Sequence, residues 1–418
     1  MGVLSGRDRS GGAEELAVGA LDWLLKSARE TEFGWVWADT GGEFDPTLYS
    51  GAAGIVLALL EAHQHFGEDR YGDAALRGAR ALTATVDQRE GCSLYFGLTG
   101  TAVALHAVGE RLNDVATGAA VSQVLDRVRS RFDGQRWGEL FELLYGNAGI
   151  GLGALAAGDA ELALLAVTPY LHTAEATAGG VNWQVQADWP ARVHHISHGT
   201  LGIAYALAAV GHAVGRSDLM ELAVAGVSDV VARNEAGPSG FLVPHSDPQH
   251  KPERVERYSY GWCHGPTGDA QVFRLLAAVT DDDAWSTLAQ RCWHTVIHSG
   301  LPQQLRPGFW DNNGRCCGTA GVLALACDRI AEQDDEPAFA RTLVEDLARR
   351  ATIDTDGVRW SNHEHRATPS TLTARTGWAM GNAGIVRELL RYTRASTGGP
   401  TDYAVAWPDH PAPRKQAT

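Results

Sequence analysis

LYSGAAGIVLALL (residues 48–60) places an aromatic and polar lead-in, a G-x-x-G turn and a long apolar run in one stretch, and six other segments repeat it. They are LYFGLTGTAVALH (94–106), LLYGNAGIGLGAL (143–155), ISHGTLGIAYALA (196–208), GWCHGPTGDAQVF (261–273), RCCGTAGVLALAC (315–327) and WAMGNAGIVRELL (378–390). Their first glycines, Gly51, Gly97, Gly146, Gly199, Gly265, Gly318 and Gly381, stand 46, 49, 53, 66, 53 and 63 positions apart. That drift fits one repeated unit with variable loops rather than a short, strictly periodic solenoid.

Between the glycine segments lie amphipathic runs such as AAVSQVLDRVRSRF, with Val121, Val124, Leu125 and Val128 at helical spacing. Each unit therefore reads as a helix pair. The run after each glycine motif is apolar nearly all round, as a layer buried on both sides requires, and its partner carries Arg, Asp and Glu on one face. Sustained period-two alternation is nearly absent, which leaves little for a sheet. A glycine at the start of each inner helix permits torsions closed to other residues and close approach of two backbones. An open solenoid would want polar capping repeats at both ends, and the last repeat is as apolar as the others. The expected fold is all-α, an α/α toroid of seven helix pairs with glycine-rich loops at one end. The toroid is expected over residues 13–395, with residues 1–12 and 396–418, rich in Gly, Pro and Thr, as loose tails.

Composition bounds the function. The chain has 418 residues, 44% hydrophobic and 20% charged, enough for a large core. Its formal charge of -15 and lack of any basic run argue against nucleic acid or an anionic membrane as partner. No signal-peptide core and no 18-residue apolar stretch is present, so membrane insertion is not expected and the reading is cytoplasmic. Six cysteines are too sparse for a disulfide scaffold and point to metal binding or catalysis.

Departures from the repeated theme mark the chemistry. The fifth repeat carries Trp262-Cys263-His264-Gly265 and the sixth Arg315-Cys316-Cys317-Gly318, and no other glycine motif contains a cysteine. In a closed ring these loops are neighbours, so three thiols converge at the mouth. Three soft ligands with an open fourth position suit a catalytic zinc, while a pair of small buried hydrophobes is the plainer role for Cys316 and Cys317. Cys92, Cys292 and Cys327 lie off these positions, on helix-like runs, and read as core thiols. His198 holds the place before the fourth glycine, in register with His264 and Cys317. An imidazole there can move protons, or it can simply bond a loop backbone. His363-Glu364-His365 reads as a solvated loop.

These residues resemble the LanC-like lanthionine synthetases, cyclases that mature lanthipeptides, over about residues 13–395. The resemblance rests on seven glycine repeats with W-C-x-G in the fifth, C-C-G in the sixth and H-G in the fourth. It implies an α/α toroid with Zn2+ held by Cys263, Cys316 and Cys317, and His198 as general acid/base. The implied reaction adds a peptide cysteine thiol to a dehydroalanine or dehydrobutyrine of the same peptide. Three departures stand out. The family commonly has C-H-G where this chain has Cys316-Cys317-Gly318. Glu142 occupies the place of a family aspartate. Ser259 stands where an arginine is expected, so Arg257, Arg254 or Arg315 would have to substitute. His264 is expected to line the pocket. The implied partners are a dehydrated precursor peptide and a separate dehydratase, since the toroid and its tails use the whole sequence. Competing classes fit less well: prenyltransferase toroids hold zinc with Asp, Cys and His, and glycosidases need a carboxylate pair that Glu142 alone does not supply. A non-catalytic scaffold that binds the modified peptide or its dehydratase is the remaining alternative, favoured by the missing arginine.

Overall fold

The computed structural model describes residues 7–38, 41–253, 255–303, 312–333, 337–365 and 368–412. Its inner layer consists of α2 (Ala52–Phe66), α4 (Leu98–Leu112), α6 (Asn147–Ala156), α9 (Thr200–Val214), α11 (Pro266–Thr280), α13 (Thr319–Gln333) and α15 (Asn382–Ser396). The outer layer consists of α1 (Arg7–Lys26), α3 (Asp69–Ala84), α5 (Val115–Arg129), α7 (Ala160–Val167), α10 (Ser217–Val231), α12 (Asp283–Ile297) and α14 (Ala338–Arg350), and a single turn, α8 (Tyr170–Thr173), follows α7. Each inner helix is buried on all sides, as in α2, where every residue from Ala52 to Ala62 is inaccessible. The last inner helix packs on the first, α15 on α2, and α1 covers α15 from outside, so the seventh pair joins the two ends of the toroid. Among the described residues the strands form five two-stranded antiparallel hairpins or ladders, all peripheral to the helices.

The glycine motif has a measurable cause. At Gly265 the backbone is extended (φ -167°, ψ -179°), a conformation open to any residue, so the expectation of special torsions at these helix starts does not hold. Close approach is the reason. A Cβ on Gly268 would lie 1.9 Å from the carbonyl oxygen of Trp262, and one on Gly265 would lie 2.3 Å from that of Ser259. The lead-in loop thus folds flat against the first turn of its own helix. Outer helices are less crowded and begin on aspartate caps: Asp114 accepts from the Thr117 amide and Asp159 from the Leu162 amide. Several of the 13 tryptophans pin the opposite ends. The indoles of Trp37, Trp137 and Trp360 donate to the carbonyls of Leu24, Val128 and Leu347, in the last turns of α1, α5 and α14.

Two expectations about the ends need correction. Residues 7–12 continue α1 rather than trailing free. The stretch from 397 to 412 is not a loose tail either: it runs into the toroid, where Trp407, Asp409 and His410 are buried. Charged inner-helix residues and this strap meet inside the ring. Arg274 and Arg391 both pair with the fully buried Asp328, and Arg394 pairs with Glu61. Residues 1–6 and 413–418 of the expected tails lie outside the described residues. His363–His365, expected as loop, belong to a strand (Asn362–His365) paired with Thr368–Leu372.

Candidate metal centre

The residue two before each glycine forms a ring of backbone hydrogen bonds around the mouth. Tyr49 donates to Tyr95, Tyr95 to Leu144, Ser197 to Cys263, Cys263 to Cys316, Cys316 to Ala379, and Ala379 back to Tyr49, at 2.8 to 3.4 Å. This ring fixes the cysteines against one another although 53 positions separate Cys263 from Cys316. Cys263 Sγ lies 3.1 Å from Cys317 Sγ, which lies 3.2 Å from Cys316 Sγ. All three thiols are free and buried, and among the described residues they form the one cluster of three or more metal-ligand side chains. Three sulfurs bound to a tetrahedral zinc at about 2.3 Å would sit nearly 4 Å apart, a small adjustment from this packing. The donor set therefore fits a soft divalent ion. Hydrogen bonding with neighbouring sulfurs, and then burial, pushes the Cys263 and Cys317 thiols up, whereas at Cys316 hydrogen bonds from those two sulfurs and Tyr49 together outweigh burial and hold its thiol well below the usual range. The Tyr49 hydroxyl donates to Cys316 Sγ at 3.3 Å.

The one gap in the ring is informative. The Leu144 amide, which would continue it to Ser197, instead donates to Glu142 Oε2 at 2.6 Å, and the Tyr145 amide donates to Oε1 at 3.0 Å. So held, the fully buried Glu142 reaches His198, with Nδ1 to Oε2 at 3.4 Å. Burial works against the imidazolium, but the Glu142 carboxylate more than offsets it, and the His198 pKa is raised. His198 keeps 30% of its side chain exposed, facing the mouth. The His264 ring stacks beside it at 5.5 Å. His198, His264, Glu142, Cys263, Cys316 and Cys317 are thus brought together.

Arg257 is not. It is half exposed and salt-bridged to Glu235 at 2.6 Å, with Nε bonded to the Tyr258 hydroxyl, so it cannot replace the arginine missing at Ser259. Arg254 lies outside the described residues. Arg315 is buried beneath the cysteine loop and engaged by Glu388 at 2.9 Å. Cys292 and Cys327 are helical core thiols, whereas Cys92 sits in the lead-in of the second repeat, its carbonyl accepting from Thr99. Sequence reasoning missed the His195–Asp269 pair, 2.9 Å apart with both side chains fully buried, although the His194-His195 run was visible. It also missed Tyr49, whose position two residues before Gly51 is the same one that holds Cys263 and Cys316.

The comparisons agree with this architecture. Residues 42–397 match the family model described as lanthionine synthetase C-like protein. Among solved structures the chain is similar to nisin cyclase, at TM-score 0.62 and 15% identity, with 91% of this chain and 93% of that one covered. It is also similar to cellobiose 2-epimerase from Spirochaeta thermophila (TM-score 0.50, 13% identity, 93% and 96% covered) and to a D-mannose isomerase (TM-score 0.50, 12% identity, 94% and 100% covered). At these identities the likeness concerns the fold. No curated protein matches the sequence. No helix among the described residues is long and apolar enough to cross a membrane. With its repeats, ring and family match in agreement, the chain belongs to the lanthionine synthetase C-like family.

Proposed function

We propose that the protein is a zinc-dependent lanthipeptide cyclase, adding cysteine thiols of a dehydrated precursor peptide to dehydroalanine or dehydrobutyrine in the same peptide. The observation that carries this reading is the juxtaposition of three buried thiols with a mouth-facing imidazole backed by a carboxylate. Zinc bound there would supply a positive centre that favours the thiolate form of a substrate cysteine. Cys263, Cys316 and Cys317 would hold it. His198 takes the thiol proton, Glu142 stabilises the imidazolium that results, and the sulfur forms its bond to the β-carbon as the double bond opens. His198 then returns the proton to the α-carbon, so the addition consumes and releases nothing. His264 lines the same mouth. A dehydrated peptide as substrate implies a dehydration step that precedes this one.

Because Ser259 replaces an arginine and Arg257 points elsewhere, the second reading is a scaffold that binds the modified peptide without turnover. Incubating the protein with a chemically dehydrated cysteine peptide, then alkylating free thiols and recording masses, separates the two. Zinc-dependent loss of alkylatable thiol at unchanged mass supports the cyclase, and binding without thioether formation supports the scaffold.

A further inference from the structure

The strap inside the toroid passes beneath the loops that carry the metal centre. Its entry is fixed by charged inner-helix residues: the Ala404 amide donates to Glu61 at 2.8 Å, and Arg387 donates to the Val405 carbonyl at 2.7 Å. Beyond that point three side chains face the mouth loops from below. Trp407 stacks on Trp378 with ring centroids 4.4 Å apart and planes 13° from parallel, and its indole donates to the Tyr95 hydroxyl at 2.8 Å. The Tyr95 hydroxyl in turn donates to Asp409. His410 is held by Asp328 at 3.0 Å and presents its other nitrogen to Arg315 at 3.4 Å.

Three of the residues contacted, Arg315, Trp378 and Tyr95, lie one or two steps from the ligands. Arg315 precedes Cys316. Trp378 precedes Ala379, whose carbonyl accepts the Cys316 amide at 2.9 Å. Tyr95 accepts the amide of Tyr49, whose hydroxyl donates to Cys316 Sγ. Tyr95, Trp262 and Trp378 also pack against one another, with centroids 5.4 to 5.8 Å apart, as a single floor.

We propose that residues 404–410 are a working part of the metal centre, with Trp407, Asp409 and His410 as positioning residues that hold this floor and, through it, the Cys316–Cys317 turn. The proposal rests on the metal-centre reading above for its zinc arm. The outer contacts of a metal site typically change affinity by roughly 10- to 100-fold when removed, and a strap that sets the ligand turn falls in that class.

The test compares Trp407→Ala, Trp407→Phe and Asp409→Ala with the parent protein. Zinc affinity is measured by chelator competition, the ligand geometry by the cobalt(II) absorption bands, and the packing of the turn by the rate of Cys316 and Cys317 alkylation in metal-free protein. In Trp407→Ala and Asp409→Ala the expected results are at least a 10-fold loss of zinc affinity, altered cobalt bands and at least 10-fold faster alkylation, with helical circular dichroism unchanged. Trp407→Phe, which keeps the stack on Trp378, should recover most of each. Parent-like cobalt bands and alkylation rates in both alanine variants would overturn the proposal. If Trp407→Ala does not fold, Asp409→Ala, which leaves the stack in place, decides alone. If the parent binds neither metal, the cyclase reading fails and the alkylation rates still decide the role of the strap.

Discussion

Glu142 takes the Leu144 amide out of the backbone ring at the mouth and spends that bond on placing its carboxylate 3.4 Å from His198 Nδ1. Two backbone amides grip both of its oxygens. The carboxylate is thereby aimed by the backbone, and its charge raises the His198 pKa against the effect of burial.

Glu142→Gln should therefore lower the His198 pKa. With the neutral imidazole that takes the thiol proton now present to lower pH, the acid limb of the cyclisation rate should move toward acid relative to the parent. A pH–rate profile on a pre-dehydrated peptide checks this, and an unmoved limb would detach Glu142 from proton transfer.

Replacing Cys263, Cys316 or Cys317 by Ala should remove most of the bound zinc while leaving the helices in place, since the core is built by the inner ring. Cys292→Ala and Cys327→Ala should keep full metal and cost no more than ~1 to 2 kcal/mol of packing. Metal analysis with thermal melts reads both. Full zinc in a Cys316→Ala, Cys317→Ala double variant would sink the site.

His198→Ala should retain zinc yet slow ring closure by roughly 100- to 10,000-fold, the usual loss for a general acid/base. Single-turnover mass spectrometry on a dehydrated peptide isolates that step. An unchanged rate would shift the proton to His264 or to water.

What the sequence displayed and what it concealed divide along physical lines. The inner helices were legible because burial on every side leaves an uninterrupted apolar run, as from Ile55 to Leu60. The thiols were legible because a repeat puts positions before Gly265 and Gly318 in register. Arg257 was misplaced because proximity in sequence to Cys263 says nothing about a side chain that finds Glu235 on the surface. The strap was concealed for the opposite reason. Tyr403, Trp407, Asp409 and His410 carry no helical period; Glu388 and Arg387, which meet the first two, lie on the preceding inner helix, while Tyr95 and Asp328, which meet the last two, lie 314 and 82 positions away. Only closure of the ring creates the lumen that receives them.

That burial has a pH signature. Asp409 is inaccessible, and burial pushes its carboxyl up to about 7, although Tyr95 and Arg315 pull the other way. A carboxyl whose folded pKa exceeds its unfolded value of about 3.9 makes the folded state hold a proton that the unfolded chain has released. Its contribution to stability is complete at acid pH and is lost as pH rises from about 4 to about 7. Asp409→Asn keeps an acceptor for Tyr95 but cannot titrate. The stability of the parent relative to this variant should thus fall across that window, by at most about 1.4 kcal/mol per pH unit, and level off above it. His410, which burial holds down at about 3, contributes a slope of the opposite sign, but it is present in both proteins and cancels in the difference. Urea melts of the two proteins at half-unit steps from pH 4.5 to 8 measure the difference directly. Parallel stability curves would mean that the Asp409 carboxyl is ionised in the folded strap and is stabilised there by Arg315.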